Sequence, residues 1–229
     1  MRCTSELQLT RSRKYRLLGC SAVLPILLAL LSAAPAARCQ EPAKNEFGIW
    51  GGYAVNNPHT IGIIGDRPFG ELALRYARTL YANHRLALLY TADVLPAEIL
   101  VQPKISNFVL SGNPPHATFT ATDRHAVYGG GINPIGLKLN FLRARRFQPF
   151  WATSEGLVAS VEPIPLNVPG ATAFNFDFDL QVGFQVFNTA RSRAWTAGYK
   201  FEHISNGYRS SVNPGVDLNV LFVGYSFFK

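Results

Sequence analysis

Apolar residues recur at every second position from Phe174 to Val186: Phe174, Phe176, Phe178, Leu180, Val182, Phe184 and Val186 share one parity. Asn175, Asp177, Asp179, Gln181, Gly183 and Gln185 share the other. Successive side chains of a strand point to opposite faces, so this segment predicts a strand with one greasy and one wet face. It outruns the ~5–6 residues usual in globular strands and reaches the about 9–11 that a tilted strand needs to cross a bilayer. Its wet face would then line a lumen.

The same period predicts eight strands, at about 46–55, 68–80, 84–95, 123–139, 148–160, 173–187, 193–205 and 217–228. An even count suits a bacterial outer-membrane barrel. The connections alternate in length. Segments 56–67, 96–122, 161–172 and 206–216 are long, whereas 81–83, 140–147 and 188–192 are short. Long extracellular loops and short periplasmic turns are the signature of such barrels. Pro114, Pro115, Pro163, Pro165 and Pro169 fall in the long connections, as expected of a residue that cannot donate to a ladder. The predicted fold is all-β, an eight-stranded antiparallel transmembrane barrel of the outer membrane. Glu155, Asp177, Asp179, Lys200 and Glu202 are expected on the wet face as an interior ion-pair network. Side chains fill so small a barrel and leave no pore, which disfavours transport.

The N-terminus reads differently. Arg11, Arg13, Lys14 and Arg16 precede an apolar run from Leu17 to Leu31, and small residues follow through Ala37. This is the layout of a secretory signal peptide over about 1–37, with the barrel domain over 38–229. Cleavage after Ala36, Ala37 or Cys39 fits equally. Cys3, Cys20 and Cys39 all lie in or beside this segment, which excludes a disulfide framework and a cysteine-based zinc site.

Composition adds little more. The net charge of +8 is carried largely by the signal and by Arg143, Arg145 and Arg146. No basic patch with aromatics on one face supports nucleic-acid binding. Anionic lipid headgroups account better for the charge. His59, His84, His116 and His125 show no metal-ligand spacing, and neither a metal nor a cofactor is expected.

The candidate chemistry lies in the last two strands. Trp195, Ala197, Tyr199 and Phe201 share the apolar parity of the seventh strand, and His203 and Ser205 continue it. Leu221, Val223, Tyr225 and Phe227 share the apolar parity of the eighth, and Asp217 continues that. Antiparallel neighbours place these loop-proximal ends side by side. His203, Ser205 and Asp217 should therefore converge on the outside of the barrel near its extracellular rim. Polar groups on a lipid face are costly, so their grouping points to function. A histidine can take the proton of a serine hydroxyl, and a carboxylate can orient the imidazole and stabilise its cation.

His203-Ile204-Ser205-Asn206-Gly207 followed by Asn213-Pro214-Gly215-Val216-Asp217 resembles the signature of the PagL lipid A deacylases, within the acyloxyacyl hydrolases. The resemblance is close over roughly 174–229. It implies a serine esterase that cleaves the ester at position 3 of lipid A, with His203 as base, Ser205 as nucleophile, Asp217 as acid and Asn206 at the oxyanion hole. The family's acid is usually Glu, one methylene longer. The implied partners are lipopolysaccharide and the outer membrane; a homodimer stays open. Two rivals share the sequence evidence: an outer-membrane phospholipase using the same triad, and a non-enzymatic barrel acting as an adhesin or structural protein through its loops.

Overall fold

The computed structural model of the chain describes residues 44–54, 59–64, 67–113 and 116–229; the signal segment and Cys39 lie outside them. Eight strands are seen: β1 (Asn45–Ala54), β2 (Phe69–Ala82), β3 (Leu86–Ser111), β4 (His116–Phe141), β5 (Phe147–Ile164), β6 (Thr172–Phe187), β7 (Arg193–Ser205) and β8 (Val216–Phe228). Each pairs antiparallel with the next, and β1 pairs with β8 to close the barrel. Closure removes the exposed edges that an open sheet would leave.

The period-2 pattern sorts the side chains as its parity demands. On β7, Trp195 is 62% exposed while Lys200 and Glu202 are fully buried. On β8, Leu221 and Val223 face outward while Leu218, Val220 and Phe222 face in. Phe47, Ile49, Leu74, Val94, Leu137, Trp151, Val182 and Phe184 extend the apolar outer belt around the barrel.

The interior is layered. Apolar side chains fill the end that carries the longer connections: Ala54, Phe69, Leu100, Val127, Ile164, Ile204, Val216, Leu218 and Val220. Beneath them Lys200 bonds Glu71 at 2.7 Å and Glu202 at 2.8 Å. A carboxylate oxygen of Glu98 lies within 4.8 Å of oxygens from both of those acids. Further along, Arg75 pairs with Asp93 at 2.6 Å, and Lys138 with Glu46 at 2.9 Å. Asp177 and Asp179 are buried in the same interior, as the wet face requires. Glu155 is the exception: it is exposed on the outside, because Phe150, Ala152 and Ser154 set the inward parity of β5.

The largest departure is the connection expected over 96–122. It is a two-stranded ribbon, in which β3 and β4 stay paired from Leu100↔Val127 out to Ser111↔His116. Two prolines within the strands lie at ladder irregularities. Pro96 falls within the shift between Leu95 and Glu98, and Pro103 borders the shift at Lys104. Pro96 is itself unpaired in its bulge, so its missing N–H costs no ladder bond there, whereas Pro103 stays opposite Arg124 and the extra residue at its shift is Asp123 of β4. Likewise β5 continues to Ile164 and takes in Pro163, beyond its continuous pairing with β6 that ends at Ala159↔Phe174. Pro114 and Pro115 lie outside the described residues.

Candidate active site

The register of β7 and β8 sets His203 directly opposite Asp217. His203 Nδ1 and Asp217 Oδ1 are 2.7 Å apart. An imidazole that bonds a carboxylate through Nδ1 donates from that nitrogen, which in the neutral ring leaves Nε2 as the acceptor. Ser205 ends β7 two residues on, on the same side of the strand, and pairs with Phe176 of β6. Both His203 and Ser205 have the outward parity of β7, and Ser205 is 8% exposed.

Asp217 also has outward parity, yet it is fully buried. The cover is the segment after β1. The N–H groups of Thr60, Ile61 and Gly62 all donate to Asp217 Oδ2, at 2.6, 2.6 and 2.9 Å. One carboxylate oxygen is thus given to the imidazole and the other to a row of backbone amides, which fixes the orientation of the acid. The segment is clamped to the start of β8 by a parallel bridge between Ile64 and Val216, and Ile63 N–H donates to the Gly215 carbonyl at 3.0 Å.

Two glycines make this close packing feasible. A Cβ on Gly62 would collide with the backbone of Gly215. A Cβ on Gly215 would collide with His203 Cε1 and lie 3.0 Å from Nε2 and 3.3 Å from Ser205 Cβ. The imidazole acceptor and the serine therefore border one small space over the bare Cα of Gly215.

Asn206 is buried and heavily engaged. Its Nδ2 donates to the carbonyls of Gly170 and Val212, at 2.7 and 2.8 Å, and its Oδ1 accepts the Tyr208 N–H at 2.8 Å. Its own N–H donates to Asn213 Oδ1 at 3.0 Å. In this arrangement the Asn206 amide staples loop 206–215 to the loop beyond β5. The structure thus brings His203, Ser205 and Asp217 together and ties Asn206 into the loop beside them. Sequence reasoning missed Thr60, Ile61 and Gly62, and it placed Asn213 and Gly215 in the motif without giving either a role. Nothing local links residues 60–62 to an acid more than 150 positions away; the glycines were the only signal.

The family model described as Lipid A 3-O-deacylase (PagL) matches residues 114–226, from the ribbon into β8. That span contains His203, Ser205 and Asp217. Over that span the chain matches the PagL family. Its place is accordingly the bacterial outer membrane, where the apolar belt meets lipid, and the family's chemistry is hydrolysis of lipid A. Among solved structures, the chain is similar to one described as the outer membrane enzyme PagL, with 12% identity and a TM-score of 0.52 over 79% of this chain and 98% of that one. It is also similar to Neisserial surface protein A (NspA), with 12% identity and a TM-score of 0.44 over 83% of this chain and all of the other. No curated protein matches the sequence. The segment that caps the acid, residues 60–62, lies outside the matched span.

Proposed function

We propose that the chain is a serine esterase that removes the acyl group at position 3 of lipid A, with Ser205 as nucleophile, His203 as base and Asp217 as the acid behind it. The observation that carries this reading is the 2.7 Å contact from Asp217 to His203 Nδ1, with His203 Nε2 and Ser205 Cβ both bordering the space over the Gly215 Cα. His203 Nε2 takes the Ser205 hydroxyl proton as Oγ attacks the ester carbonyl. Asp217 stabilises the imidazolium, which then protonates the departing sugar oxygen. Water, deprotonated by the same imidazole, cleaves the acyl-serine and frees the fatty acid. The reaction runs on the lipid-facing side of the barrel near its extracellular rim, where outer-leaflet lipid arrives by lateral diffusion.

An oxyanion needs donors already aimed at it. Asn206 reaches one only by giving up the Gly170 or Val212 carbonyl, because both of its amide hydrogens are in use.

Purified, detergent-refolded protein is mixed with lipopolysaccharide and lipid A is weighed by mass spectrometry. Wild type should remove one hydroxyacyl mass. Ser205→Ala and His203→Ala should each slow this by about 10³-fold or more. A folded barrel that leaves lipid A intact but releases fatty acid from glycerophospholipids would move the activity to that substrate. Inertness toward both lipids would leave a non-enzymatic barrel.

A further inference from the structure

Loop 206–215 holds an arginine in an unusual setting beside Ser205. Gly207 and Tyr208 adopt φ of 60° and 59°. That left-handed backbone is disfavoured for an aromatic residue and persists where surrounding contacts impose it, commonly at functional sites. It leaves Tyr208 79% exposed and turns Arg209 back over β6. The Arg209 guanidinium stands 4.9 Å from the Phe174 ring and 5.7 Å from the Phe176 ring. Its Nε donates to the Asn206 carbonyl at 3.3 Å, and its Nη2 donates to the Phe174 carbonyl.

A guanidinium carries five N–H donors in a rigid fork, and these bonds use two of them. Among the described residues no carboxylate pairs with this charge. The cation is therefore fixed in position but not neutralised. Phe176, one of its two aromatic supports, is the ladder partner of Ser205. Gly207 rests directly on the Phe176 ring, where a Cβ would lie 2.7 Å from the ring edge. The guanidinium thus stands at the rim one strand over from Ser205.

We propose that Arg209 binds the phosphate borne by the glucosamine whose ester is cut, which rests on the reading of the chain as a lipid A deacylase. A planar guanidinium already held by stacking suits bidentate contact with a phosphate. The phosphate and the position-3 ester belong to the same sugar, so an anchor on the first sets the distance of the second from Ser205. Arg209 makes the site select phosphorylated lipid A over its dephosphorylated analogue.

The test measures binding apart from turnover. Refolded Ser205→Ala protein in detergent micelles is titrated with bisphosphorylated lipid A and with the analogue lacking the reducing-end phosphate. The same is done with Arg209→Gln and Arg209→Lys added. The bisphosphorylated lipid should bind about tenfold more tightly, as a charge-assisted contact implies. Arg209→Gln should bind the two lipids alike, and Arg209→Lys should retain part of the preference. Equal binding of both lipids before Arg209 is changed would overturn the proposal. So would an equal loss for both lipids in Arg209→Gln, which would make Arg209 only a support of the loop. Millimolar inorganic phosphate should leave lipid binding unchanged; displacement would make this a site for free phosphate instead. Selective binding by a chain whose wild type hydrolyses neither lipid would sink the deacylase reading and leave the phosphate site standing.

Discussion

At the scale of single residues, the site depends on what is absent as much as on what is present. Gly215 lies against both the His203 ring and Ser205, with room for a hydrogen and nothing larger. Its backbone lies outside the left-handed region, so alanine is permitted by the chain and excluded by its neighbours. Gly215→Ala should push the imidazole off line and slow lipid A hydrolysis by about 10²-fold, as misplacement of a reacting group does. Since Gly215 precedes β8, the barrel ladder should be untouched, and heat-modifiable migration on a gel should match wild type. An unchanged rate would mean that Nε2 and Ser205 do not work over this space. Asp217 shows the complementary economy. The shorter acid reaches His203 because residue pairing sets the two directly across the ladder, and its second oxygen is taken by backbone amides.

At the scale of elements, the acid is held by a segment that is itself held by others. Ile64 is fully buried with Ile105 of the ribbon and Val168 of the loop after β5, and Ile63, Phe108, Ala117 and Ala171 pack against them. The outer ribbon thereby braces the amides at 60–62. Ile64→Ala removes apolar contacts worth roughly 2–5 kcal/mol in a well-packed site. That loss falls on the cap and not on the barrel. Amides 60–62 should exchange hydrogen faster and hydrolysis should slow, while the unfolding midpoint of the barrel stays near that of wild type. Faster exchange with full activity would separate the cap from the chemistry.

At the scale of the whole molecule, the buried ion pairs and the proposed catalytic residues occupy opposite sides of one sheet. The inward side carries closed ion pairs with little access to water; the outward side carries His203 and Ser205. Lys200 bonds both Glu71 and Glu202. Lys200→Met would leave both acids buried without that cation, and breaking a buried pair in this way costs about 3–5 kcal/mol. The denaturant midpoint in micelles should fall accordingly, while protein that remains folded keeps the geometry of the outer face. A midpoint equal to that of wild type would show that protonation of the acids replaces the ammonium at little cost.

Strand number, strand parity and the shared outer face of His203, Ser205 and Asp217 were legible in the sequence, because side-chain direction in a strand alternates with a period the chain itself displays. β7 was bounded at 193–205 from that pattern alone, and the structure has the same limits. The ribbon over 96–122 was not legible: the segment read as a long connection, and only the pairing of two strands across register shifts makes it a ribbon. The inward reading of Glu155 failed similarly, since one strand's parity is fixed by its neighbours' register. The burial of Asp217 and the engagement of Asn206 arise from contacts with Thr60, Ile61, Gly62 and Gly170, far away along the chain. Periodicity reports the side of the sheet on which a residue stands. What covers that residue is settled only when distant loops meet, and only the tertiary structure brings them together.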